Sequence, residues 1–101
     1  VIVTHTTDLR CISPINDDVD CYEVDITLTR EIMVEEIRKV LKLYTSKKAT
    51  QEEVTENLAS YLGSKVTTRG QHSEFHTVCT VDHLPVPPCV RPGMGLGSNE
   101  E

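Results

Sequence analysis

Tyr22-Glu23-Val24-Asp25-Ile26-Thr27-Leu28 alternates apolar and polar residues without a break. A period of two belongs to a strand with one buried and one wet face. After Arg30 the period changes. Met33, Ile37, Val40, Leu41 and Tyr44 recur at helical spacing, with Glu35, Arg38, Lys39 and Lys42 between them, the pattern of an amphipathic helix. Acids come early in this helix and bases late, which complements its dipole.

The elements on either side follow from this switch. Upstream, Val1 to Leu9 is rich in Val, Ile and Thr, which suits a strand. The stretch from Cys11 to Asp20 holds Ser13-Pro14, Asn16, Asp17 and Asp18 and reads as an exposed loop. Downstream, Thr45 to Ala49 is a short linker. Thr50 followed by Glu53 is a capping box that opens a second helix. Val54, Leu58, Tyr61 and Leu62 form its apolar stripe, and Gly63 ends it. Lys65 to Arg69 reads as a short strand and Gly70 as part of a turn. Phe75 to Val81 reads as another strand, with Phe75, Thr77, Cys79 and Val81 on one face. From Leu84 the composition collapses into Pro85, Pro87, Pro88, Pro92, Gly93, Gly95 and Gly97. The expected division is a folded domain over residues 1–83 and a Pro/Gly-rich flexible tail over residues 84–101. The order β-β-α-α-β-β gives an α+β fold: an antiparallel sheet with two helices on one face. Such a sheet has two open edges, which are hazardous unless paired. Pairing them between subunits closes a barrel.

Composition bounds the function. The chain has 101 residues and a net charge of −6, with four aromatics and no Trp. That size is one domain, and it buries only about two-thirds of its unfolded surface. The thin aromatic content points to a marginal monomer or to burial against another subunit. No run approaches the roughly 20 apolar residues of a membrane span, and the acidic balance excludes a generally basic nucleic-acid binder. Cys11, Cys21, Cys79 and Cys89 form no CxxC pair, so the strong zinc signature is missing. Val1, Ile2 and Val3 lead at once into Thr and His, with no signal-peptide pattern. Reduced thiols and a cytoplasmic location are expected, with two disulfides in a secreted protein as the alternative.

The element order is that of the tunnelling fold, and three local patterns within it resemble the QueF-like proteins. The first is Cys11 followed by Val19-Asp20-Cys21-Tyr22-Glu23-Val24. The second is Val34-Glu35-Glu36-Ile37-Arg38-Lys39, running through Leu43-Tyr44. The third is Gln51-Glu52-Glu53, where the family has His-Glu or His-Glu-Glu. The resemblance covers roughly residues 3–82. Cys11 is followed by Ile12 where the family has Pro, and Gln51 stands in place of the family's His. The resemblance implies ring-shaped oligomers, a pentamer or decamer, with sites between subunits. The nitrile reductase branch uses NADPH and carries a Glu-Ser-Lys-Ser/Ala-type motif. Glu36-Ile37-Arg38-Lys39-Val40-Leu41-Lys42 does not reproduce it. The other branch, archaeosine synthase, is an amidinotransferase that adds ammonia to the nitrile of 7-cyano-7-deazaguanine in tRNA, and it needs no redox cofactor.

On this resemblance Cys11 is the nucleophile. A thiolate attacks a nitrile carbon readily and gives a covalent thioimide. It must be partly ionised and accessible, which an exposed loop allows. Asp20 is the acid–base group. Glu52 and Gln51 are the substrate-binding residues, with the Glu52 carboxylate accepting the N1–H and 2-amino donors of the base. The alternatives are a nitrile reductase and a non-catalytic purine- or pterin-binding or effector module.

Two further clusters are read from the residues. His72, His76, Cys79 and His83 would share one helix face and could hold zinc. Composition favours a strand, which divides them between two faces, so no metal is expected. Arg38, Lys39, Lys42, Lys47 and Lys48 gather near the end of the first helix. They read either as a solvated face or as a patch for tRNA phosphates.

Overall fold

Strands β1 (Val3–Ile12) and β2 (Val19–Leu28) form a long antiparallel pair in a computed structural model that describes residues 1–84. Helix α1 (Val34–Lys42) and helix α2 (Gln51–Leu62) follow, then β3 (Lys65–His72) and β4 (Phe75–Asp82). The four strands lie in the order β1-β2-β3-β4, all antiparallel. The fold is α+β, with the element order expected above. The expected tail from residue 85 lies outside the described residues.

Alternation on β2 decides which face is covered. Tyr22, Val24, Ile26 and Leu28 are buried and meet Leu9 of β1, Val66 of β3 and the helices. The buried residues of α2 are Gln51, Val54, Thr55, Leu58, Ala59 and Leu62. These recur at helical spacing, so Tyr61 falls off the stripe. It is 65% exposed, not part of the core as the sequence pattern implied. From α1, Ile37 is buried while Val40 and Leu41 pack against the core's edge. Burying such aliphatic side chains stabilises by about 1.5–3 kcal/mol each.

The other face of the sheet is mostly polar, and no element among the described residues covers it. Arg69 of β3 reaches across to Glu23 at 2.8 Å and to Asp25 at 2.7 Å. Thr6 donates to Asp25, and two hydroxyl pairs, Thr4–Thr27 and Thr67–Thr80, join strands on the same face. The guanidinium beside Asp25 holds its carboxyl below the usual range.

The helix ends are set by local chemistry. Thr50 Oγ1 accepts from the Glu53 backbone N–H, and the Glu53 carboxylate accepts from the Thr50 backbone N–H. This is the capping box read from the sequence. Gly63 ends α2 in the left-handed region, with φ of 56°.

Three boundaries differ from the sequence reading. β1 continues through Cys11 to Ile12, so the loop begins only at Ser13. Thr45 to Ala49 is more than a linker. Ser46 N–H donates to Arg10 O, Ile12 N–H to Lys47 O and Ala49 N–H to Ile12 O, forming a short parallel bridge on the end of β1. Gly70 lies inside β3, not in a turn; the turn is at Ser73-Glu74, with Ser73 at φ of 59°. No helix among the described residues is long and apolar enough to cross a membrane.

Candidate active site

Three segments converge at one end of the sheet: the loop after β1, the N-terminus of α2 and the β3–β4 hairpin. Between them is a cavity of about 390 Å³. Its walls include Asp20, Tyr22, Glu52, His72, Phe75 and Thr77, with Ser13, Pro14 and Ile15 of the loop after β1. A larger groove of about 810 Å³ runs between β1 and α1, past Leu9, Ile37 and Leu41. The groove is lined by His5 and Asp8 as well, but the smaller cavity holds two carboxylates, Asp20 and Glu52, with the Tyr22 hydroxyl and the His72 imidazole, and it is the better candidate site.

Strand register composes the site. Cys11 pairs with Asp20 across β1 and β2, Tyr22 with Gly70 across β2 and β3, and His72 with Phe75 across β3 and β4. One same-face step beyond Tyr22–Gly70 brings Asp20 and His72 to adjoining positions, and both line the cavity. The order across this end of the sheet is therefore Cys11, Asp20, His72, Phe75. All four lie on the face that α2 covers.

Cys11 is placed differently from expectation. It is fully buried in β1 and not part of an exposed loop. Burial pushes its thiol up to about 11, and the nearby charge of Asp20 adds to this. It is therefore protonated at neutral pH, where partial ionisation was expected. The reason is that pairing with Asp20 and Val19 carries β1 through Cys11 and Ile12, up to the turn-forming Ser13-Pro14. Asp20 is half-buried and accepts from the Tyr22 hydroxyl at 3.3 Å. Burial, and then the charge and hydrogen bond of Asp20, push the Tyr22 phenol far above its ordinary value. Tyr22 is thus a fixed donor to Asp20 throughout the neutral range.

Gln51 also plays a part different from the expected ligand contact. It is 2% exposed. Its Nε2 donates to Thr77 O at 2.9 Å, Thr68 O at 3.1 Å and Thr68 Oγ1 at 3.2 Å. Its Oε1 lies 2.7 Å from His72 Nε2. Gln51 therefore pins the start of α2 onto β3 and β4. Glu52, the next residue, is exposed in the first turn of α2, and its carboxylate has no hydrogen-bond partner among the described residues. Of the four expected site residues, Asp20, Gln51 and Glu52 line the cavity, and Cys11 lies behind Asp20.

Sequence reasoning missed Tyr22 and Phe75 as site residues, and it weighed His72 as a metal ligand or as one of the polar strand residues lining a subunit interface or substrate cleft. Tyr22 carries a core signal, and only its hydroxyl's proximity to Asp20 reveals the second role. Phe75 reads in the sequence only as an apolar strand residue, and its 65% exposure beside the cavity appears only in the structure. β4 sends His76 to the outer face, and no three His, Cys, Asp or Glu side chains converge for a metal among the described residues. The five bases are dispersed. Arg38 and Lys42 line the larger groove, Lys47 lies 5.9 Å from the Tyr44 ring centroid, and Lys48 pairs with Asp17 at 2.8 Å. Lys39 is exposed on α1.

No protein-family model matches the chain, and no curated protein sequence does. Among solved structures, the chain is similar to that of the archaeosine synthase QueF-like in its apo form. The TM-score is 0.74 at 21% identity, covering 85% of this chain and 96% of that one. The likeness establishes the fold: these four strands and two helices are arranged as in the tunnelling fold.

Proposed function

We propose that the protein is an amidinotransferase that adds ammonia to the nitrile of 7-cyano-7-deazaguanine in tRNA. The observation that carries this reading is the cross-strand pair of Cys11 and Asp20 beside a cavity that presents Glu52. A thiol next to a carboxylate is a nucleophile with its base. A carboxylate with no hydrogen-bond partner among the described residues, lining a cavity that also holds an exposed Phe75, suits a planar base. Glu52 accepts the N1–H and 2-amino donors, and Phe75 offers a stacking face.

The chemistry balances without a redox step. The Cys11 sulfur bonds the nitrile carbon as its proton passes to Asp20. One π pair of the C≡N bond moves to nitrogen, which takes a proton from within the site, giving the thioimide. Ammonia then attacks the same carbon and the C–S bond breaks. The amidinium leaves with both nitrogens, and the departing sulfur recovers its proton from Asp20. Cys11 is buried in the free chain, so the reaction needs its sulfur to become accessible from the cavity that Asp20 lines. Association of subunits along the open edges of β1 and β4 and contact of Arg38, Lys39, Lys42, Lys47 and Lys48 with tRNA phosphates complete the reading.

The test is conversion. tRNA carrying the nitrile base, incubated with the protein and an ammonium salt, is digested and its nucleosides weighed. A gain of one ammonia on that nucleoside supports the proposal. Unchanged nitrile refutes it, and reduction to the aminomethyl base on adding NADPH would replace it with the reductase.

A further inference from the structure

Gln51 settles a proton position. Thr68 O and Thr77 O are carbonyl oxygens and can only accept, so the amide atom facing them is Nε2. The atom 2.7 Å from His72 Nε2 is then Oε1, which also only accepts. His72 must therefore carry its hydrogen on Nε2 when neutral, which leaves Nδ1 as the imidazole nitrogen not engaged by Gln51 in a residue that lines the cavity. The Gln51 clamp is itself held. Thr55 Oγ1 donates to Gln51 O at 2.7 Å and lies 2.6 Å from Thr68 Oγ1. The imidazole lies against the Tyr22 ring, centroids 6.1 Å apart and planes tilted by 50°. The ring is oriented from two sides.

We infer that His72 is the site's proton donor, an imidazolium whose Nδ1–H protonates the nitrile nitrogen as the sulfur of Cys11 bonds the carbon. The inference rests on the proposed function and supplies the proton that function leaves unassigned. The electron pair released from the C≡N bond takes the Nδ1 proton, and His72 is left neutral. After ammonia displaces the sulfur, the amidinium leaves with the added proton, and His72 is recharged from solvent. The arrangement across the strands suits this division of labour. Asp20 adjoins Cys11 and takes the thiol proton, and His72, one strand further, faces the far end of the C≡N bond. The titratable groups facing the imidazole are Asp20 and Tyr22 of β2, Glu52 of α2 and, behind Asp20, Cys11 of β1.

The experiment follows thioimide formation on the free nitrile base by rapid quench and intact mass, from acid to alkaline pH. Wild type is compared with His72→Gln, whose side-chain amide still offers Gln51 Oε1 a donor. Affinity for the base is measured separately, with each protein also carrying Cys11→Ala. Loss of a general acid lowers a rate by about 100-fold or more. His72→Gln is expected to slow adduct formation by about that factor with affinity unchanged. It should also change the shape of the pH profile. Asp20, Tyr22, Glu52 and Cys11 are present in both proteins, so the difference between the two profiles belongs to His72. Equal rates and profiles overturn the inference and leave the proposed function standing, as does a loss confined to affinity. No adduct on wild type at any pH overturns both. Independently of any variant, nitrogen chemical shifts of wild-type His72 must show the proton of the neutral ring on Nε2; a proton on Nδ1 overturns the inference.

Discussion

A β-carbon at position 70 would lie 2.6 Å from Tyr22 Cδ1 and 2.8 Å from Cε1. Gly70 is therefore where the Tyr22 ring rests on bare backbone, and this close approach lets the hydroxyl reach Asp20. Gly70→Ala is expected to destabilise by about 1–3 kcal/mol, the range for overpacking a core. A chemical-denaturation midpoint measures it, and an unchanged midpoint would show that the ring moves freely. The Cys11 thiol is held up to about 11 against an ordinary value of 9.0. The folded state thus keeps a proton that the unfolded chain releases first. That contribution to stability is full below 9.0 and is lost as pH rises through about 11. Stability is expected to fall over this window and to fall less in Cys11→Ala; equal slopes would contradict it. Tyr22, shifted in the same direction, keeps part of the fall in that variant. In the cavity, Phe75→Ala should weaken binding of the deazaguanine by about 1–3 kcal/mol, as loss of a base-stacking ring does. Calorimetry with the free base reads this, and equal affinity would remove Phe75 from the site.

At the scale of elements, α2 is both a core helix and the floor of the site. Its capping box fixes the backbone at Thr50, and Gln51 ties the next residue to β3 and β4. Glu52 is therefore presented from a rigid turn. Thr50→Ala is expected to lower stability by about 1 kcal/mol through loss of the cap, and thermal unfolding checks it. This helix was legible in the sequence because its signals are local: a cap, a stripe and a terminal glycine. The switch at Arg30 was legible for the same reason. What was not legible depends on partners far along the chain. The continuation of β1 through Cys11 depends on Asp20 opposite it, and the strand conformation of Gly70 depends on Tyr22. The bridge from Ser46 to Ala49 depends on the free end of β1. Gln51 reads as a polar first-turn residue until Thr68, Thr77 and His72 are seen around it. Three of the four expected site residues do line one cavity, because the loop, helix start and hairpin that carry them converge on one end of the sheet.

At the scale of the molecule, a small acidic chain covers one face of its sheet, and among the described residues β1 and β4 form its two edges. The bridge from Ser46 to Ala49 occupies only the Arg10–Ile12 end of β1. Open edges of this length invite pairing, and the larger groove beside β1 leaves Leu9, Ile37 and Leu41 at its walls. The reading proposed above makes the working unit a ring. The solution mass should then be five or ten times the 11.3 kDa of one chain, and a monomer at all concentrations would remove that part of it. The central claim is narrower: Cys11, with Asp20 as its base, attacks a nitrile. It is tested most directly by incubating the protein with free 7-cyano-7-deazaguanine and recording its intact mass, followed by peptide mapping. One covalent adduct per chain, located on Cys11 and absent from Cys11→Ala, is the expected result. No adduct, or an adduct that persists in Cys11→Ala, would contradict it.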